Sequence, residues 1–143
     1  METLSLNHAT TIVDGALAMA RESACAPLSV AVLDAGGHLV AFKREDNSGI
    51  LRPQIAQAKA WGALGMGIGS RALAQRAEAA PAFFAALTDI SVGRIVPVAG
   101  GVLIRDSDGH VIGAVGVSGD HPEKDEVCAA AGIARAGLKA DVG

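Results

Sequence analysis

"VLDAGGHLVAFKRED", residues 32 to 46, returns with changes as "IRDSDGHVIGAVGVSGD", residues 104 to 120. In both, an Asp stands four places before a His, glycine precedes the His, and apolar residues run on either side. A short carboxylate at the start of a turn accepts hydrogen bonds from backbone N–H groups just downstream, and glycine reaches positive φ at little cost. Asp34 and Asp106 are therefore read as turn residues, and each stretch as strand, tight turn, strand. The alternative, in which Asp34, His38, Asp106 and His110 form one catalytic set, is the weaker one, because turn chemistry alone accounts for the spacing.

Around these hairpins the remaining chain reads mostly as helix. Ser5 is placed to cap a first helix, in which Leu6, Ala9, Ile12, Val13, Ala16, Leu17 and Ala20 recur at the spacing of one buried face and which ends near Ser23. Pro53 suits the first turn of a second helix running to about Leu64, with Ile55, Ala56, Ala60, Ala63 and Leu64 inward. "GMGIGS" breaks it. Ser70 is expected to cap a short third helix through Ala79, and "AFFAAL" after Pro81 gives one more helical turn. "GRIVPVA", residues 93 to 99, reads as a short strand before the Gly100–Gly101 bend, and a last helix is expected from Pro122 to about Lys139 with Asp120 as its cap. The order α, ββ, αα, βββ, α predicts one domain of α+β type over residues 1–143, a five-stranded and mainly antiparallel sheet flanked by helices.

Composition limits what such a domain can be. Among 143 residues half are apolar, yet only Phe42, Trp61, Phe83 and Phe84 are aromatic, so the core is built from small aliphatic side chains and eighteen glycines that let elements approach closely. A net charge of −3 with scattered Lys and Arg argues against a nucleic acid partner. No run of roughly 20 apolar residues and no basic-then-apolar leader is seen, which points to a cytoplasmic protein without a membrane segment. Cys25 and Cys128 lack metal or redox spacing and read as small buried hydrophobes.

Two glycine- or charge-rich motifs reduce to structure. "GALGMGIGS" follows a helix and lacks the spacing of a dinucleotide loop. "GDHPEKDE" gathers His121 with four acids, but acids at a helix start suit the helix dipole, and no metal is assigned. Lys59 carries more information. It sits on or beside the apolar face of the second helix, where a desolvated ammonium needs either a buried acid partner or a ligand carboxylate. Arg44, Arg52 and Arg71 border the same helix and its loops, so an anionic small molecule would find several donors there.

The ordered set "SVAVLDAGGHLVAFKRED", "AQAKAWGA", "PVAGGVLIRDSDGHVIGAVGVSGD" and "DEVCAAAGIARAGL" resembles the GlcG/HbpS family of haem-binding or haem-degrading-type domains, also found as the C-terminal part of PduO-type corrinoid adenosyltransferases. The resemblance covers nearly the whole chain. It implies the same antiparallel sheet with helices around it, haem as a possible cofactor, and homo-oligomers from dimers to octamers. No haem-ligand motif assigns the iron to His8, His38, His110 or His121.

Three functional expectations follow. In the first the domain binds haem or a related anionic small molecule, with Arg44, Arg52, Lys59 and Arg71 as cations and His38, Gly100 and Gly101 in the binding set. In the second it is an enzyme of a catabolic pathway that hydrolyses or isomerises a small organic acid, held by Lys59 and Arg52, with Glu45, Asp46 or His121 moving a proton. In the third it is an oligomer subunit that binds only protein partners. Any chemistry is expected between the second helix and the two hairpin turns.

Overall fold

The computed structural model describes residues 2–143. The elements run α1 (Leu6–Glu22), β1 (Ser29–Asp34), β2 (Leu39–Arg44), α2 (Arg52–Met66), α3 (Ser70–Ala79), α4 (Pro81–Ile90), β3 (Gly101–Arg105), β4 (Val111–Ser118), α5 (Pro122–Arg135) and β5 (Lys139–Asp141). Five strands form one sheet in the order β2-β1-β4-β3-β5, every neighbouring pair antiparallel. This is the α+β architecture expected from the hairpins. Among the described residues no helix is long and apolar enough to cross a membrane.

Both hairpins turn as the sequence predicts, and by the same device. Asp34 Oδ1 accepts the Gly36 and His38 N–H groups, each at 3.0 Å, while the Asp34 N–H donates to the His38 carbonyl at 2.9 Å. Asp106 Oδ1 takes the Asp108 and His110 N–H groups at 3.0 and 2.9 Å, and the Asp106 N–H donates to the His110 carbonyl at 3.0 Å. The repeated Asp-to-His motif is thus two copies of a turn.

The sheet is covered on both faces. Val30, Val32, Val102, Ile104, Val115 and Val117 pack against Ile12, Ala16, Ala129 and Ile133 of α1 and α5, while Leu33, Leu103 and Ala114 meet Ala60 and Ala63 of α2 on the other side. Glycine sets the distance between layers. Gly101 and Gly116 pair across the β3–β4 ladder directly beneath α2. A Cβ on Gly116 would run into the Ala56 carbonyl, and one on Gly101 into the Lys59 carbonyl. Between α1 and α5 the same role falls to Gly15, whose added Cβ would lie 3.0 Å from the Gly132 Cα.

Four local expectations need correction. Residues 94–98 form no strand: Pro97 supplies no ladder donor, and the segment is irregular up to Gly100. The fifth strand comes instead from the C-terminus, because α5 stops at Arg135, Gly137 takes φ 75°, and Lys139–Asp141 returns along β3. Ser70 does not cap α3; its hydroxyl donates to the Val98 carbonyl at 2.6 Å and accepts the Gly101 N–H at 2.7 Å, pinning the 97–101 segment to the helix. Asp120 does not cap α5 either; its carboxylate accepts the Ala26 and His121 N–H groups at 2.7 and 2.6 Å. Ser5 does cap α1, accepting the His8 N–H at 3.0 Å.

Candidate functional site

Lys59 is where the sequence placed the chemistry, and the structure buries it. The residue is 2 % exposed, and its Nζ donates to the Val117 carbonyl at 2.9 Å and to Asp125 Oδ2 at 3.1 Å. Asp125 Oδ1 accepts the Asp120 N–H at 3.0 Å, so both carboxylate oxygens are engaged. Burial pushes the Lys59 ammonium below its ordinary range, more than Asp125 pulls it back, and burial likewise pushes the Asp125 carboxyl up. Of the two readings open to a desolvated lysine, the buried acid partner is the one realised. The pair ties α2 to the start of α5.

The other expected residues scatter. Gly100 and Gly101 belong to the Lys59 pair as packing: an added Cβ on Gly100 would fall 2.8 Å from Lys59 Nζ. Arg52 lies nearby and donates to Ser118 Oγ at 3.1 Å. Arg44, Glu45 and Asp46 line a separate shallow hollow with Arg21 and Pro27. There Arg44 donates to the Ser48 carbonyl at 2.9 Å, while Glu45 accepts the Leu28 N–H at 2.8 Å and pairs with Arg21 at 3.0 Å. Arg71 pairs with Glu126 at 3.2 Å on yet another face. His121 stands at the N-terminus of α5. Asp106, Asp108 and His110 bring potential ligand atoms within 4.8 Å of one another, but the Asp106 carboxylate is committed to backbone N–H groups of its turn.

What the structure does assemble is a cleft of about 450 Å³ between the first hairpin turn, α2 and the segment after α4. Leu33, Gly37 and Leu39 form one wall, Gln54, Gln57, Ala58 and Trp61 the second, and Val92, Gly93 and Arg94 the third. Gly37, at φ 82°, lies so close to the indole that an added Cβ would stand 3.0 Å from Trp61 Nε1. Opposite, the Arg94 guanidinium lies 4.0 Å from the Trp61 ring centre. Its Nε donates to the Ser91 carbonyl at 2.9 Å, which fixes its plane, and no carboxylate among the described residues pairs with it. The turn that delivers Arg94 is strained. Val92 is β-branched yet has φ 56°, and it is 81 % exposed, a conformation that costs on the order of 1–3 kcal/mol and persists only where its surroundings impose it.

His38 stands between cleft residues Gly37 and Leu39, its Nδ1 3.1 Å from Asp34 Oδ1. The Asp34 carboxyl is pushed up by burial but held below its ordinary range by the N–H groups of His38 and Gly36 and by the imidazole. It therefore stays charged and orients the ring. The sequence reading put chemistry between the second helix and the turns, which is where the cleft lies, but it passed over Trp61, Arg94, Gln54 and Gln57. A lone Trp one turn from Gln57 on the second helix was the available signal. Nothing in "GRIVPVA" marks Arg94, which the sequence places within a short strand.

The family model for haem degrading protein HbpS-like matches residues 4–134. The chain belongs to the HbpS-like family. Solved members share the fold along almost the whole length. The PduOC structure, a complex with haem, is 26% identical with a TM-score of 0.86, the match covering 96% of this chain and 97% of that one. HbpS itself is 29% identical with a TM-score of 0.81, over 94% and 90% of the two chains. Klebsiella pneumoniae ORFY is 25% identical with a TM-score of 0.86, over 96% and 92%. No curated protein matches this HbpS-like chain in sequence.

Proposed function

We propose that this HbpS-like chain is a small-molecule binding protein whose cleft takes haem or a related flat, anionic molecule. The observation that carries this reading is the Arg94 guanidinium, laid on the Trp61 face in the cleft wall without an acid partner among the described residues. In a protein of net charge −3, a cation held in place and left uncompensated is a ready acceptor for a carboxylate.

Haem, when bound, supplies an iron that takes an imidazole nitrogen and propionates that seek cations. The residues present fit these demands. Leu33, Leu39 and Trp61 offer apolar surface, Arg94 with Gln54 and Gln57 offers donors for carboxylates, and the exposed His38 stands between the lining residues Gly37 and Leu39 in the chain. The Asp34 carboxylate at His38 Nδ1 leaves Nε2 as the free nitrogen, the pattern in which an outer carboxylate orients a ligating histidine. The structural likeness to PduOC, seen in complex with haem, supports the same reading.

Titration of the purified protein with haem, followed at the Soret band, tests it. A saturable shift is expected at fixed stoichiometry, weakened about 10- to 100-fold in Arg94→Ala, the worth of one charge-assisted contact, and losing its imidazole signature in His38→Ala. Absence of a shift would remove haem. A shift lost only in His8→Ala, His110→Ala or His121→Ala would remove this cleft.

A further inference from the structure

Helices α1, α2, α4 and α5 all end in the same way. An N–H just beyond the helix reaches back to a carbonyl five positions earlier, Cys25 to Ala20, Ile68 to Ala63, Gly93 to Thr88 and Leu138 to Ile133, at 2.8–3.2 Å. The residue before each of these donors, Ala24, Gly67, Val92 and Gly137, takes positive φ so that the chain can turn back. Such a closure favours glycine at the left-handed position and an apolar residue after it, packed on the last turn.

At α2 and α5 the rule holds: Gly67 and Gly137 make the turn, and Ile68 and Leu138 follow, the latter packed against the core. At α1 the left-handed residue is Ala24, but Cys25 behind it is buried in the core and holds the turn in place. The end of α4 reverses the order. Val92 stands at the left-handed position, with φ 56°, and Gly93 follows, where an added Cβ would meet nothing within 4 Å. The motif thus lacks its packing residue and strains a β-branched one. At 81 % exposure the Val92 side chain draws little from packing to offset that strain.

We propose that Val92 is a specificity residue of the cleft: its isopropyl group packs against an apolar edge of the bound molecule and selects ring anions with an apolar rim over rings charged all round. This rests on the reading of the cleft as a binding site. Val92 and Gly93 both line it beside Arg94, so the reversed order puts a branched apolar group on the same wall as the cation. Leu39, 49 % exposed, adds a second apolar side chain from the first hairpin. A ligand with its carboxylate on Arg94 covers Val92 best with uncharged carbon, since a second carboxylate there would be stripped of water without gaining a donor. Burial of the isopropyl group then supplies in the complex the packing that the turn lacks in the free protein.

The test compares the parent with Val92→Gly and Val92→Asn, two residues that accept positive φ. Thermal unfolding is measured without ligand, and Soret titrations use haem, protoporphyrin IX and uroporphyrin, which carries carboxylates on every pyrrole. Both variants are expected to raise Tm, by about 2–4 °C for glycine, while weakening haem and protoporphyrin IX about tenfold and changing uroporphyrin little. The parent should prefer protoporphyrin IX to uroporphyrin, and the variants should lose that preference. A raised Tm with haem binding unchanged would overturn the role of Val92, and the cleft itself would stand if Arg94→Ala still weakened haem. No porphyrin binding by the parent would remove the cleft reading and this inference together. A Tm unchanged or lowered in Val92→Gly would show that the folded protein itself holds the valine in place, and a smaller assembly at sedimentation equilibrium would assign the side chain to a contact between copies; either overturns the proposal.

Discussion

Lys59 and Asp125 stand 66 positions apart, and each is tolerable inside the fold only because of the other. Burial moves both toward their neutral forms, Lys59 downward and Asp125 upward, so the pair owes its persistence to geometry and to its further bonds with the Val117 carbonyl and the Asp120 N–H. Lys59→Met should therefore cost about 3–5 kcal/mol in urea unfolding, because it strands a buried carboxylate. Adding Asp125→Leu should recover most of that loss, leaving only the two unsatisfied backbone groups. A double variant as unstable as Lys59→Met would mean that the ammonium acts through something other than Asp125. The sequence singled out Lys59 because a lone charge on an apolar helix face breaks the pattern. Asp125 was hidden among the acids of "GDHPEKDE", where dipole chemistry explains every carboxylate equally well. Arg94 was hidden for another reason: its role depends on a turn held at positive φ by a valine, and no residue preference predicts that.

The elements were legible wherever a local rule decides them. Both Asp-Gly turns, the Ser5 cap and the stop after α2, where Gly67 takes φ 74°, follow from side chains within four residues of the event. Residues 94–98 and 139–141 were misread because strand pairing is settled at long range: Pro97 withholds a donor from one, and β3 offers an open edge to the other. Layer spacing shows the same contrast between glycines of one element and its neighbour. Gly116→Ala would drive a methyl into the Ala56 carbonyl and should destabilise by about 1–3 kcal/mol or more, since backbone cannot yield as a side chain can. Gly65→Ala, on the exposed part of α2 with only an ordinary 3.9 Å contact to Trp61, should stabilise by about 0.5–1 kcal/mol through helix propensity. Thermal unfolding of the two variants should move in opposite directions. Equal losses would show that α2 does not rest on the Gly101–Gly116 pair.

Across the whole molecule the displaced carboxyl groups shape stability against pH in two arms. Asp34, Asp106 and Asp120 lie below their ordinary value of 3.8: burial opposes this at Asp34 and Asp106 but is outweighed by backbone N–H groups, which at Asp120 dominate outright. For such groups the folded state holds its proton less tightly than the unfolded chain, so their contribution is complete above 3.8 and disappears as pH falls through the lower folded values. Glu126 has the opposite sign. Burial raises it above 4.5, so the folded state takes up a proton first, and stability grows as pH falls through the raised value toward 4.5. Urea midpoints measured from about pH 3 to 7 should therefore separate two variants by where they depart from the parent. Glu126→Gln should lessen the slope above 4.5, where Asp125 also contributes, and leave the acid side unchanged, whereas Asp106→Asn should lower the midpoint from about 3.8 upward, where the parent carboxylate is charged, and converge on the parent at the acid end. The second variant keeps an oxygen for the turn, so the hairpin still closes while its charge is gone. If Asp106→Asn instead lowered the midpoint equally at every pH, the carboxylate would be a turn group whose ionisation contributes nothing to acid sensitivity.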